Sequence, residues 1–183
     1  LSVPIETICE QATSEAGLVV PANYNSPEQV VVSGEKLGVE RAGELAKAAG
    51  ARRVLSLPVS GAFHSPLMAP AADGLEAALE AAHLRDPRVP VFANVDGSAI
   101  TRASSARPLL VQQLTAPVHW TLVMRNLVHA HPEALYVELG TGNVLSGLAR
   151  RIAPDVRTMT AGTLADIEKL LELAHSERTS HAH

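Results

Sequence analysis

Over its first sixty residues the chain alternates helical and extended periodicity in one order, and that order narrows the possible folds more than any other feature. Ile5, Ile8, Cys9, Ala12 and Ala16 recur at the spacing of one helix face, and Gly17 follows where helices commonly stop in a left-handed residue. Leu18–Ala22 and Gln29–Ser33 read as the strands of a hairpin, separated by Asn23, Tyr24, Asn25, Ser26 and Pro27, a run rich in turn formers. Val39, Ala42, Leu45, Ala46 and Ala49 predict a second helix ended by Gly50, and Arg52–Leu57 predicts another strand. The order αββαβ is that of a split sandwich, βαββαβ, without its first strand. The expected fold class is α/β, with residues 1–58 an incomplete ferredoxin-like subdomain and Leu1 a cut end.

After Pro58 the elements lengthen. Leu67, Ala71, Leu75, Ala78, Leu79 and Ala82 share one face and predict a helix over Ser65–His83, although Pro66 and Pro70 disturb its first turn. Val89–Asn94 reads as a strand. Helices follow around Leu109, Leu110 and Leu114, and around Val123, Met124, Leu127 and Val128, with Pro117 between them. Leu135–Leu139 is a buried-type strand, turned by Gly140, Thr141, Gly142 and Asn143 into a helix with Val144, Leu145, Leu148 and Ile152 inward. A last helix starts at the capping signal Thr163–Asp166. Residues 59–175 form the second expected domain, and 176–183 a frayed tail.

Composition removes several classes of function. With 183 residues, 46% of them apolar, the chain can bury the core of one domain or two small ones. Its longest apolar runs fall far short of the roughly 18–20 residues that cross a bilayer, and Leu1–Ile5 has neither a basic nor an apolar leader segment. A lone Cys9 makes no internal disulfide, which suits a reducing cytoplasm. Fifteen Lys plus Arg against nineteen Asp plus Glu supply no basic stripe for a phosphate backbone, so neither nucleic acid nor membrane is an expected partner.

No G-x-S-x-G, P-loop or G-x-G-x-x-G segment is present. His129-Ala130-His131 and His181-Ala182-His183 lack the helical spacing and the cysteines of a metal site, so no metal is expected. His64 stands apart, lying in the connection Val59–Pro66 between a predicted strand and a predicted helix, where α/β proteins place reactive groups. An imidazole there can accept a proton from a nucleophile and return it to a leaving group. It can equally be a loop histidine with one satisfied hydrogen bond.

Five separated segments, taken together, point further. They are Ala22–Gly34 (ANYNSPEQVVVSG), Gly61–Met68 (GAFHSPLM), Asn94–Gly97 (NVDG), Gln113-Leu114 with Pro117-Val118 and Trp120, and Glu138 through Leu148. In this order they closely resemble the malonyl-CoA:acyl carrier protein transacylases, over nearly the whole chain. The resemblance implies a ferredoxin-like subdomain inserted in a hydrolase-like acyltransferase core. It also implies a ping-pong transfer of malonyl through a serine ester in fatty acid synthesis, with malonyl-CoA as substrate and no cofactor. By this resemblance His64 is the base and then the acid, and Gln113 offers the backbone carbonyl that fixes the imidazole. Phe63 is the bulky neighbour of malonyl-selective relatives, and Asn23 and Asn25 lie near the acyl-CoA entrance.

Other readings of these residues stay open: Gln113 as a solvent-facing helix residue, and Asn23 and Asn25 as turn formers. The glycines after Glu138 read as a turn or as a weak phosphate cradle, and Arg150 and Arg151 as helix-end cations or as contacts for an acidic carrier protein. The family's G-H-S-x-G nucleophile, its malonyl-binding arginine and its oxyanion glutamine have no match here, and the usual proline of the last segment is Thr141. The chain is therefore expected to be the C-terminal part of such an enzyme, inactive alone and partnered by a missing N-terminal segment and by acyl carrier protein. A non-catalytic coenzyme A or carrier-protein binding module, and the acyltransferase domain of a polyketide synthase, are the alternatives.

Overall fold

Helix α1 (Ile5–Ala16) turns Ile8, Cys9 and Ala12 inward, the face its periodicity predicts, and Gly17 ends it at φ 121°. Thr13 Oγ1 then bonds both the N–H and the carbonyl of Val19, tying the helix to strand β1 (Val19–Ser26). Strand β2 (Gln29–Gly34) returns antiparallel, with Val19 opposite Gly34, and leads into helix α2 (Lys36–Ala48). Ile8, Cys9, Ala12, Val19, Ala42 and Ala46 form the buried cluster that these elements share. Small residues allow the close approach: a Cβ on Gly38 would collide with the Gly17 carbonyl, and one on Gly34 with the Leu18 carbonyl. The computed structural model describes residues 1–180, a mixed α/β chain whose compact units are 1–123 and 124–183. That division differs from the 58/59 boundary expected from the sequence.

The hairpin corrects the expected turn over Asn23–Pro27. Both asparagines lie within β1, and the loop is only Pro27-Glu28. Backbone pairing on both sides overrides the turn preference of Asn: Asn23 faces Val31 on β2, while the Tyr24 N–H donates to Val118 O at 2.8 Å and the Val118 N–H to Ala22 O at 2.8 Å. Register shifts at Ala22 and Asn25 bulge the strand.

Arg52–Leu57 is not a strand. The segment joins no ladder, and Val54, Leu55 and Leu57 are 37%, 67% and 51% exposed. Apolar, β-rich sequence supplies only half of a strand; a neighbour must supply the other half. The helix expected over Ser65–His83 splits into a 3₁₀ turn, Pro66–Ala71, and helix α3 (Ala72–Ala81), because Pro70 has no N–H for the α ladder. Of Val89–Asn94 only Val91–Phe92 (β3) is paired, with Ala99–Ile100 (β4), which periodicity did not reveal. Helices α4 (Ala103–Gln113) and α5 (Trp120–Ala130) flank Pro117 as expected.

The second unit contains β5 (Leu135–Leu139), α6 (Val144–Ile152) and β6 (Arg157–Ala161), with β6 parallel to β5. Strand β6 went unread because its Arg and Thr residues hide the pattern. Helix α7 (Leu164–Ser180) starts at the expected cap, where Thr163 Oγ1 donates to Asp166 Oδ2 at 2.7 Å. It carries helical backbone through 176–180, where a frayed tail was expected; residues 181–183 lie outside the described residues. No helix among the described residues is long and apolar enough to cross a membrane.

Candidate active site

The connection that carries His64 is built from backbone bonds and one buried hydroxyl. Ser65 caps the 3₁₀ turn, and His64 takes φ 59°, the one positive φ outside glycine among the described residues. Such a conformation is uncommon for a residue with a side chain and persists where the surroundings hold it.

What meets the imidazole comes from 49 residues further along the chain: His64 Nδ1 lies 3.1 Å from Gln113 O. A carbonyl only accepts, so Nδ1 carries a proton, and in the neutral ring the lone pair then sits on Nε2. Gln113 is the last residue of α4, where helix carbonyls lack intrahelical partners. The donor that would ordinarily close the next turn is the N–H four residues on, and that residue is Pro117. Pro117 thus leaves the Gln113 carbonyl free for the imidazole.

The Gln113 side chain braces the same turn. Its Nε2 donates to Ala116 O at 2.8 Å and to Pro117 O at 3.3 Å, which uses both amide hydrogens. Nε2 also lies 3.4 Å from His64 Nδ1, but two donors do not bond, so the carbonyl contact is the one that holds the ring. This orientation leaves Gln113 Oε1 buried without a partner, and flipping the amide would set Oε1 against two carbonyl oxygens instead. Gln113 is therefore half-buried and engaged at both ends, not a solvent-facing helix residue.

Phe63 is 48% exposed and lies over Gly61, where a Cβ would come within 3.2 Å of its ring. Asn23 and Asn25 belong to the bulged strand, and Asn23 forms a parallel bridge with Val118 in the segment that follows Gln113. Asn94 contributes its carbonyl, which accepts the His119 N–H at 2.7 Å.

Sequence reasoning missed the supports of that segment. The rings of Tyr24 and His119 stack at 5.1 Å and 4°, Thr121 Oγ1 donates to Tyr24 O at 3.0 Å, and the Tyr24 hydroxyl donates to Glu6 Oε1 at 2.6 Å. Burial first, then the Glu6 contact, pushes the Tyr24 phenol above its ordinary range, and the same bond holds the Glu6 carboxyl below its own. No spacing signal announces such a stack, because its members are 95 residues apart in sequence, 24 to 119.

The start of α6 is already occupied. Glu138, from β5, accepts the N–H groups of Leu145 at 3.0 Å and Ser146 at 2.8 Å, and the Ser146 bond is the main reason its carboxyl is held below the ordinary carboxylate range. The turn after Glu138 is thus closed by the chain's own anion rather than open as a phosphate cradle. Arg150 donates to Thr158 Oγ1 at 2.7 Å. Among the described residues no three His, Cys, Asp or Glu side chains are grouped to hold a metal ion.

Residues 4–146 match the family described as the acyl transferase domain. A malonyl CoA-acyl carrier protein transacylase of Escherichia coli (strain K12) is 47% identical over 160 residues, covering 87% of this chain and 50% of that protein. The chain belongs to the acyl transferase domain family. Another member, the malonyl CoA-acyl carrier protein transacylase of Bacillus subtilis (strain 168), is 37% identical over 173 residues, covering 94% of this chain and 54% of that one. A crystal structure of the acyl-carrier-protein-S-malonyltransferase from Bartonella henselae superposes with a TM-score of 0.86 at 41% identity, over 92% of this chain and 53% of that one. The chain thus spans about half the length of these family members.

Proposed function

We propose that the chain is the C-terminal portion of a malonyl-CoA:acyl carrier protein S-malonyltransferase. The observation that carries this reading is the His64 Nδ1 contact with Gln113 O. It makes the imidazole a base with a fixed tautomer, which is what a serine nucleophile needs beside it, and the names of the relatives specify malonyl-CoA and the carrier protein. In the proposed reaction the serine oxygen attacks the malonyl thioester while its proton passes to His64 Nε2. Collapse expels the coenzyme A thiol with that proton and leaves a malonyl-serine ester. The phosphopantetheine thiol of acyl carrier protein then gives its proton to His64 and attacks the ester, and the serine leaves with the proton. Backbone N–H groups stabilise the oxyanion. The Gln113 carbonyl orients the ring throughout, Phe63 limits bulk at the acyl α-carbon, and Asn23 and Asn25 line the approach of the pantetheine arm.

This reading includes a ferredoxin-like small subdomain over 1–58 and a hydrolase-like large subdomain over 59–175, in a cytoplasmic enzyme of fatty acid synthesis. The αββα order supports the former, as do Val54, Leu55 and Leu57, exposed and left without a ladder. The nucleophile lies on an N-terminal segment that pairs with this chain. Neither Ser60 nor Ser65 replaces it: neither sits on a strand-to-helix elbow, and Ser65 is 0% exposed with its hydroxyl bonded to backbone.

The test is to incubate the mass-verified chain with radiolabelled malonyl-CoA and acyl carrier protein, alone and with the N-terminal segment supplied in trans. The expected result is transfer only in the second case. Transfer by the chain alone, abolished by His64→Ala, would mean that the nucleophile has been misassigned. No transfer by the reconstituted or complete protein would overturn the activity.

A further inference from the structure

Beside His64 lies a hydroxyl that the proposed chemistry does not use. Ser65 is wholly buried, the most deeply buried of the three buried polar residues among those described, the others being Ser26 and Ser146. Its Oγ donates to Ala62 O at 2.6 Å and accepts the Leu67 N–H at 3.3 Å. Pro66 offers no N–H, so Leu67 is the first residue after Ser65 that can donate, and the hydroxyl reaches across both sides of the bend. The Ser65 carbonyl accepts the Met68 N–H at 3.0 Å, which anchors the 3₁₀ turn behind it. Residues 62–67 are thereby closed into a bracket with His64 at its apex.

The residue at that apex is the one that needs holding. His64 is at φ 59°, a conformation an ordinary side chain leaves unless it is over-determined, and rotating back to negative φ would re-aim the Cα–Cβ bond and the imidazole with it. The contact that sets the ring's tautomer, Nδ1 to Gln113 O, comes from a different helix and cannot follow such a rotation. We infer that Ser65 is a positioning residue: its buried hydroxyl holds the backbone of His64 in the left-handed conformation that places Nδ1 on the Gln113 carbonyl. The kinetic part of this inference rests on the acyltransfer reading; the tautomer part does not.

The test compares Ser65→Ala with Ser65→Thr in the complete protein. Threonine keeps Oγ, and its branched Cβ suits the extended backbone here, φ −132° and ψ 163°. Two readouts are taken: kcat and KM for malonyl transfer, and the imidazole ¹⁵N shifts of His64, assigned against His64→Ala. The parent is expected to show the Nδ1–H tautomer. Ser65→Ala is expected to show a mixture of tautomers and a kcat lower by about tenfold or more, with KM for malonyl-CoA nearly unchanged, as for a group acting only on the chemical step. Ser65→Thr is expected to restore the tautomer and most of kcat.

A folded Ser65→Ala protein with parental ¹⁵N shifts and parental kcat overturns the inference, as do equal losses in both variants with unchanged shifts. Should Ser65→Ala fail to fold, Ser65→Cys, a weaker donor of similar size, takes its place; intermediate kcat and partial tautomer mixing support the inference and parental values overturn it. If Ser65→Ala alters the shifts while the complete parent transfers no malonyl, the positioning of His64 stands and the proposed activity falls.

Discussion

Two helix ends show how the same unpaired backbone groups can be put to different use. At the C-terminus of α4 the Gln113 carbonyl lacks the donor that Pro117 cannot supply, and it takes the imidazole of His64 from a distant loop. At the N-terminus of α6 the Leu145 and Ser146 N–H groups take the carboxylate of Glu138, seven and eight residues earlier in the chain. Every helix end has free groups to satisfy. The first is satisfied by a side chain that keeps a second ring nitrogen, and the second by an anion whose two oxygens are both engaged. The first end therefore leaves the proposed base its second nitrogen, whereas the second is closed by its own cap.

The comparison is broken most severely by removing the ring. In the complete enzyme His64→Ala is expected to lower kcat by about 10²–10⁴-fold, the usual range for loss of an acid–base group, without slowing malonyl-CoA binding. Rapid-quench measurement of the malonyl-serine ester checks this, and formation at the parental rate would remove His64 from the mechanism. A subtler break leaves every catalytic side chain in place. Pro117→Ala restores an N–H at the position that competes for the Gln113 carbonyl, and the loss of one net hydrogen bond's worth of orientation predicts a kcat lower by about tenfold. Thermal stability should hardly change, and a parental kcat in Pro117→Ala would show that the proline does not keep the carbonyl free.

The smallest effect is expected at the other helix end. Because the Glu138 carboxyl is held below its ordinary value of 4.5, its stabilisation of α6 is fully present above that value and is lost as pH falls through the depressed folded one. Hydrogen exchange should show the Leu145 and Ser146 amides losing protection across this acid window in the parent. Glu138→Gln should lower that protection at neutral pH and remove its acid dependence, with kcat of the complete enzyme within about twofold, since the bonds it alters are those to the Leu145 and Ser146 amides. Protection that stays independent of pH in the parent would mean that the carboxylate does not cap the helix.

The same contrast explains what could be read in advance. Helix α1, its stop at Gly17 and the inward face Ile8, Cys9 and Ala12 follow from local periodicity and from glycine's access to positive φ, both properties of neighbouring residues. The cap at Thr163 and Asp166 is equally local. The loop position of His64 was also visible, because it lies between two apolar segments of different period. Apart from the local break at Pro70, errors fell where a partner had to be supplied from elsewhere. Asn23 and Asn25 favour turns by themselves, yet Val118 pairs with the backbone there and keeps them in a strand. Arg52–Leu57 has the composition of a strand and no ladder, while Arg157–Ala161 has the weaker pattern and pairs with β5.

By itself, then, the sequence determined where most helices lie, the stop of α1 and the start of α7, the family and the histidine worth watching, because each of these is written in residues close together or in motifs kept in order. Only the tertiary structure decided which strands exist, that Ser65 is buried against its own loop, and that the His64 proton faces Gln113. The reason is physical: a β ladder, a buried hydroxyl and a fixed tautomer are each set by an acceptor or donor that arrives through space, and the spacing of residues along the chain carries no record of its arrival.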